Sequence, residues 1–232
     1  GLTQCQTHQN NMGTFGGPDV VTDGLILALD AGSTRSNPGS GATWFDLSGN
    51  GNHATIESSV TQVSTFGGGL TTLNDNGNTN QSIFGTFSLS SANYTWEIWY
   101  TNNGSQGGDS SGFGFGSIGN NGSRANSGSG VQTWVGGSLT VGQTISTAST
   151  PKQVLLRRSG STFTSFSNGV LLDTDTSTTA SQIITNYSMN DRSSTSSNNG
   201  WNGTYYIVRM YNRALSDAEI LQNYNQNKQR FI

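Results

Sequence analysis

Cysteine is almost missing from this chain: Cys5 is the single one in 232 residues. No intrachain disulfide can form, so stability has to come from packing and hydrogen bonds. Charge is scarce as well. Charged residues make up 10% of the sequence, and ten Lys plus Arg against 13 Asp plus Glu leave a formal net charge of -3. That leaves no basic stripe for a phosphate backbone, which excludes nucleic acid as an expected partner. Apolar runs are short, none approaching the roughly 18 residues of a membrane helix, and membrane insertion is not expected. The opening stretch, GLTQCQTHQNN, lacks the basic and apolar regions of a signal peptide. If the chain is complete, it is expected to be made and folded in a cytoplasm. Gly1 reads as the product of initiator Met removal, and Cys5 stands where a myristoylation signal needs Ser or Thr.

Hydrophobic residues amount to only 31%, low enough for disorder to be weighed. Disordered chains, however, are usually highly charged and poor in aromatics. Here five Trp, seven Tyr and ten Phe can each bury a large area, so the aromatic positions should mark a core. With 32 Gly and abundant Ser, Thr and Asn, turns and short strands should dominate over long helices. The length suits one all-β sandwich.

Residues Gly1 to Thr22 are rich in Gln, Asn and Gly and are broken by Gly16, Gly17 and Pro18. They read as an arm, either a disordered terminus or an anchoring segment in which Cys5, Phe15 and Pro18 would make the contacts. The sandwich is expected to run from Asp23 to the end. Leu25 to Leu29 suits a strand buried on both faces. In YTWEIWY, Tyr94, Trp96, Ile98 and Tyr100 share one face and Thr95, Glu97 and Trp99 the other, the period of a strand. Val131 to Val135 and Leu139 to Val141 flank Gly136-Gly137, a hairpin signal. Asn168-Gly169 between Phe163 to Ser167 and Val170 to Leu172 is a stronger one, because Asn-Gly suits both central positions of a type I′ turn. Val154 to Arg157, Ile183 to Tyr187 and Tyr205 to Tyr211 add further strands. In the last of these Tyr206, Val208 and Met210 are expected to point inward. One helix is convincing. Ser216 and Glu219 form a capping box, and Ile220, Leu221 and Tyr224 follow on one side to about Asn227. The polar stretches 102–112, 119–130 and 192–199 read as loops open to contact.

The order of GLILALDAGSTRSNPGSGATWFDLSGNGNHAT, YTWEIWY, VLLRRSGSTFTSFSNGVLL and WNGTYYIVRMYNRALSDAEILQNYNQ resembles the laminin-G-like, concanavalin A-like domains of tailed-bacteriophage structural proteins, particularly those of marine and cyanobacterial hosts. The likeness runs from about Asp23 to Gln229, while Gly67 to Phe84 departs from the family pattern. It implies an all-β, two-sheet antiparallel jelly-roll sandwich with one short C-terminal helix. It also implies a virion structural protein, in a head decoration, fibre or tail accessory, assembled in the host bacterial cytoplasm. The implied partners are other virion proteins, further copies of the chain in a homo-oligomer, and host-surface glycan. One fold hosts many functions, so a free carbohydrate-binding lectin and a divergent glycoside hydrolase remain as alternatives.

A jelly-roll glucanase needs two glutamates on one strand facing the sugar. Glu97 has only Trp99 and Asn102 at the partner positions, so no catalytic residue is expected. His8 and His53 fall in the arm and in a turn, without clustered partners for zinc or a triad. Asp46, Ser48, Asn50 and Gly51, followed by Glu57, match much of a calcium-loop spacing. Without flanking helices, however, an Asx-type turn is the default and no cofactor is expected. For glycan binding, Trp134, Trp201 and Tyr205 are the candidate stacking platforms, each weighed against plugging the core.

Overall fold

Short runs of alternating apolar residues between Gly- and Asn-rich turns can hide their apolar faces only by pairing side by side. The computed structural model describes residues 19–73, 81–102, 113–115, 121–126, 130–135, 138–144, 148–176, 182–190 and 202–232. These form β1 (Leu25–Asp30), β2 (Thr43–Trp44), β3 (Ala54–Ile56), β4 (Thr61–Val63), β5 (Gly69–Thr72), β6 (Ile83–Ser91), β7 (Asn93–Asn102) and β8 (Phe113–Phe115). They continue with β9 (Asn121–Asn126), β10 (Gly130–Val135), β11 (Ser138–Thr144), β12 (Ala148–Ser159), β13 (Thr162–Ser167), β14 (Val170–Thr176), β15 (Gln182–Met189), β16 (Gly203–Tyr211) and α1 (Asp217–Lys228). Short 3-10 turns occupy Thr65–Gly67 and Gln229–Phe231.

The strands make two sheets. The first has the order β14-β13-β12-β7-β16-β5-β4, with β1 also paired to β16, and the second has the order β11-β10-β9-β8-β15-β6-β3-β2. All the pairings are antiparallel. The main core lies between the sheets: Leu27, Leu29, Trp96, Ile98, Val154 and Val208 from the first meet Trp44, Ile83, Phe87 and Tyr187 from the second. The all-β, two-sheet architecture with a single C-terminal helix is the one expected. Among the described residues, no helix is long and apolar enough to cross a membrane.

Local chemistry accounts for the joins. Asn168 and Gly169 have φ of 52° and 76°, the two left-handed positions of a type I′ turn, and set Ser167 opposite Val170. Val135 lies opposite Ser138 across the other expected hairpin. The Ser216 capping box forms as read, with the Ser216 hydroxyl accepting from the Glu219 amide and the Glu219 carboxylate from the Ser216 amide.

Several expectations are corrected. Polar 119–130 is not all loop, since β9 pairs with both β8 and β10. In β16 the inward residues are Tyr205, Val208 and Met210, while Tyr206 faces the other way. A register shift between Tyr205 and Ile207 against β7 breaks the period of two there. On α1 the buried positions are Ile220 and Asn223, whereas Leu221 is 47% exposed. Residues just before Asp23 also pack on the sandwich. Val21 is buried with Tyr211, Leu215 and Ile220, its amide donates to Asn223 Oδ1, and its carbonyl accepts from the Tyr211 hydroxyl.

Strand β1 is fully buried on one face only, at Leu27 and Leu29. The edge of β1 away from β16 is nonetheless occupied, because the Leu47 amide donates to Ala28 O and the Ala28 amide to Asp46 Oδ1. The outer face of the first sheet is covered by α1 and the turn after it. There Trp99, Tyr206, Ile207 and Phe231 form a second apolar layer, in which Trp99 stacks on both Tyr224 and Phe231.

Candidate functional site

Glu97, the strand carboxylate weighed for sugar chemistry, is fully buried beneath α1. Its Oε1 accepts from Trp99 Nε1 at 2.8 Å, Gln153 Nε2 at 2.9 Å and Arg209 Nη1 at 3.1 Å. Oε2 accepts from Asn223 Nδ2 at 3.0 Å. Burial, the largest single influence, pulls the Arg209 pKa down, and Glu97, Tyr211 and Asp30 together outweigh it, so the guanidinium is held above its ordinary value. Arg209 also donates to Asn227 Oδ1, and Gln153 Oε1 accepts from the Gly169 amide. A carboxylate with four such donors is an anchor tying β7, β12, β16 and α1 together, with no open side toward solvent.

Sequence reasoning missed this network, although a signal for it was present. Glu97 and Arg209 are both assigned to the faces opposite the core, and β7 and β16 set them directly across from one another. Opposite charges at such cross-strand positions form a pair.

The calcium candidates fall into a stitched turn. Asp46 Oδ1 accepts from the Ala28 and Ser48 amides at 2.8 and 2.9 Å, and Oδ2 from the Ser48 hydroxyl and the Asn52 amide at 2.7 and 3.0 Å. Asn50 Nδ2 donates to Leu25 O and Asn52 Nδ2 to Ile26 O. His53 Nδ1 accepts from the Asp46 amide. Glu57 is engaged elsewhere, accepting from the Ser82 amide at 2.9 Å. The Asp46 carboxylate therefore spends its acceptor capacity on the backbone, and the turn seals the edge of β1. Among the described residues, no three His, Cys, Asp or Glu side chains gather as a metal site.

Of the glycan platforms, Tyr205 is corrected. Its side chain is fully buried in the inter-sheet core, and burial pushes its hydroxyl pKa well up against hydrogen bonds to Thr72 and Asn190. A ring enclosed by the core cannot stack on a sugar. Trp134 is placed in β10 by its backbone alone. Trp201 and the arm residues Cys5, Phe15 and Pro18 lie outside the described residues.

A cleft not foreseen from the sequence opens at one rim of the sandwich, between the loop after β1 and the segment joining β4 to β5. It encloses about 330 Å³, and its lining includes Thr34, Asn37, Pro38, Gln62, Ser64 and Gly68. The first wall is set by backbone turns, Ser33 N to Asp30 O and Asn37 N to Ser33 O, and by the Ser36 hydroxyl, which accepts from the Asp30 amide and donates to Phe45 O. The second wall turns through three consecutive left-handed residues, Phe66, Gly67 and Gly68, with φ of 50°, 78° and 133°. Gly67 and Gly68 adopt that region freely, whereas Phe66 is strained there and must be held by its surroundings.

Arg230 fixes it. Its Nη1 donates to Asp30 Oδ1 at 2.6 Å, Nε to Phe66 O at 2.6 Å and Nη2 to Gly68 O at 2.8 Å. One guanidinium thus clamps both walls. Among the described residues, no charged side chain lines the cleft itself.

No protein-family model matches the chain, and no curated protein matches it either. Solved structures do. Trypanosoma rangeli sialidase in complex with 2,3-difluorosialic acid is 18% identical with a TM-score of 0.68, over 93% of this chain and 35% of the sialidase. The binding domain of Paraclostridial Mosquitocidal Protein 1 is 14% identical with a TM-score of 0.64, over 88% of this chain and 52% of that one. The botulinum neurotoxin type G receptor-binding domain is 12% identical with a TM-score of 0.66, over 87% of this chain and 51% of that one. The chain thus spans little more than half of the toxin domains and about a third of the sialidase. The likeness is one of fold, shared by enzymes and by binding domains.

Proposed function

We propose that this chain is a non-catalytic recognition module, a lectin-like sandwich that binds glycan. The observation that carries this reading is the state of Glu97. The strand carboxylate that a hydrolase would aim at a sugar is committed to Arg209, Trp99, Gln153 and Asn223 under α1, and general acid or nucleophilic work needs a carboxylate within reach of the substrate. The rim cleft, lined by neutral polar groups, suits holding a ligand rather than cleaving it. The fold likeness to receptor-binding domains points the same way. A glycan array probed with the intact chain tests the reading. Saturable binding to defined glycans is the expected result, and an array without a single hit overturns it.

We extend the proposal to the setting in which the module works, a virion surface, where repeated copies would turn a weak single-site contact into avidity. That extension rests on the sequence resemblance alone. Deleting residues 1–18, which spares the Val21 contacts to Asn223 and Tyr211, separates it from a free lectin. A virion protein loses particle attachment while its fold survives, and a free lectin keeps its ligand and has no particle to lose.

A further inference from the structure

We propose that the cleft between 31–39 and 62–68 is a subsite for one neutral glycosyl unit. This rests on the glycan-binding reading above and gives it a location. At about 330 Å³ the cleft stands at the small end of the ~300–1,000 Å³ usual for small-molecule sites. That suits one sugar ring rather than a peptide.

The chemistry of the lining selects the ligand class. Among the described residues, the side chains of Thr34, Gln62 and Ser64 make no hydrogen bond, and the side-chain carboxamide of buried Asn37 is held only by long contacts, 3.5 Å from Nδ2 to Ala31 O and 3.4 Å from the Gly39 amide to Oδ1. Hydroxyl and carboxamide groups both donate and accept, as do the hydroxyls of a sugar. Ala31, Pro38 and Val63 add apolar surface for the C–H face of a ring. A phosphate or carboxylate ligand would be expected to meet a cation, and the described lining residues include none. A divalent metal would need carboxylates, and the nearest, Asp30 Oδ1, accepts from Arg230 and from the Gly32 amide.

The walls are also preorganised. Gly68 has no room for a side chain, since a Cβ there would lie 2.4 Å from Ala31 O, so the two walls are in close contact at the floor. With Gly68 packed on Ala31 and Arg230 bridging the two walls, a ligand meets groups already in place and loses little free energy to ordering them.

The experiment uses the intact chain with methyl glycosides of glucose, galactose, mannose, N-acetylglucosamine and sialic acid, followed by amide NMR, beside a Thr34→Ala/Gln62→Ala variant. Both positions are unbonded, so the variant's spectrum should match the parent's away from the cleft. The expected result is saturable shifts confined to 31–39 and 62–68 with a neutral glycoside, weakened about tenfold or more in the variant. A glycoside or array glycan that binds parent and variant equally, or shifts residues elsewhere, overturns the cleft and leaves the recognition reading standing. Binding of the sialoside alone overturns the neutral-ligand assignment. No binding by any glycan in the array or the titration overturns both.

Discussion

Glu97 and Arg209 meet across β7 and β16 at 3.1 Å, both buried and both bonded onward into α1. A charge pair in such a place is a poor source of net stability but is costly to break, because either partner left alone is a buried uncompensated charge. Arg209→Met should therefore destabilise the chain by about 3–5 kcal/mol. Glu97→Leu/Arg209→Met removes both charges but leaves the Trp99, Gln153 and Asn223 donors without their acceptor, so its loss should be smaller than the sum of the two single losses without returning to the parent. Urea unfolding of the parent, both single variants and the double variant reads the coupling, and a double-variant loss equal to the sum of the two single losses would show that the two residues act independently.

The helix cap gives a pH dependence. Hydrogen bonding from Arg213 chiefly, opposed by burial and helped by Ser216, lowers the Glu219 pKa to about 2. A carboxylate depressed in the folded state binds protons less readily there than in the unfolded chain. Its contribution is complete above the ordinary carboxylate range near 4.5 and is lost as pH falls through about 2. Glu219→Gln should therefore be less stable than the parent at neutral pH, and the gap should close between about pH 4.5 and 2. Thermal melts across that range measure it.

Asp46 predicts a stability loss that calcium does not touch. Asp46→Ala leaves the Ala28, Ser48 and Asn52 amides without their acceptor, at about 1–3 kcal/mol for each group that stays buried and unsatisfied. The unfolding midpoint of the parent should be the same in millimolar calcium and in chelator. A midpoint that rises with calcium would restore Asp46, Ser48, Asn50 and Glu57 as ligands.

Gly68→Ala should be among the most damaging small substitutions. The new Cβ meets backbone at Ala31 O, which no rotamer change can relieve, and φ of 133° is strained for any L side chain. Circular dichroism melts should show the loss, and hydrogen exchange should show 62–68 opening first. In Arg230→Gln the same segment should exchange faster with less global loss, since a clamp on two walls is removed while the core is untouched.

Much of the sandwich was legible because its signals are local. Asn168-Gly169 can hardly serve as anything but a tight turn, and Ser216 with Glu219 specifies a helix start in four residues. What failed to read through was non-local. The bulge at Tyr206 is imposed by pairing with β7, so strict alternation along β16 misassigns Tyr205 and Tyr206. The Glu97 network needs strands more than a hundred positions apart to be in register. The rim cleft depends on Arg230 reaching back to Asp30 and Phe66, which neither composition nor period encodes. Asp46 was legible as a turn, because its partners lie within a few residues along the chain and on the adjoining strand.

As proposed above, this sandwich would recognise glycan without cleaving it. The direct measurement is to incubate the intact chain with fluorogenic glycosides, sialosides included, while following binding of the same sugars by affinity electrophoresis. Retarded migration with no released fluorophore is the predicted result. Turnover that disappears in Glu97→Gln while the fold is kept would contradict the account.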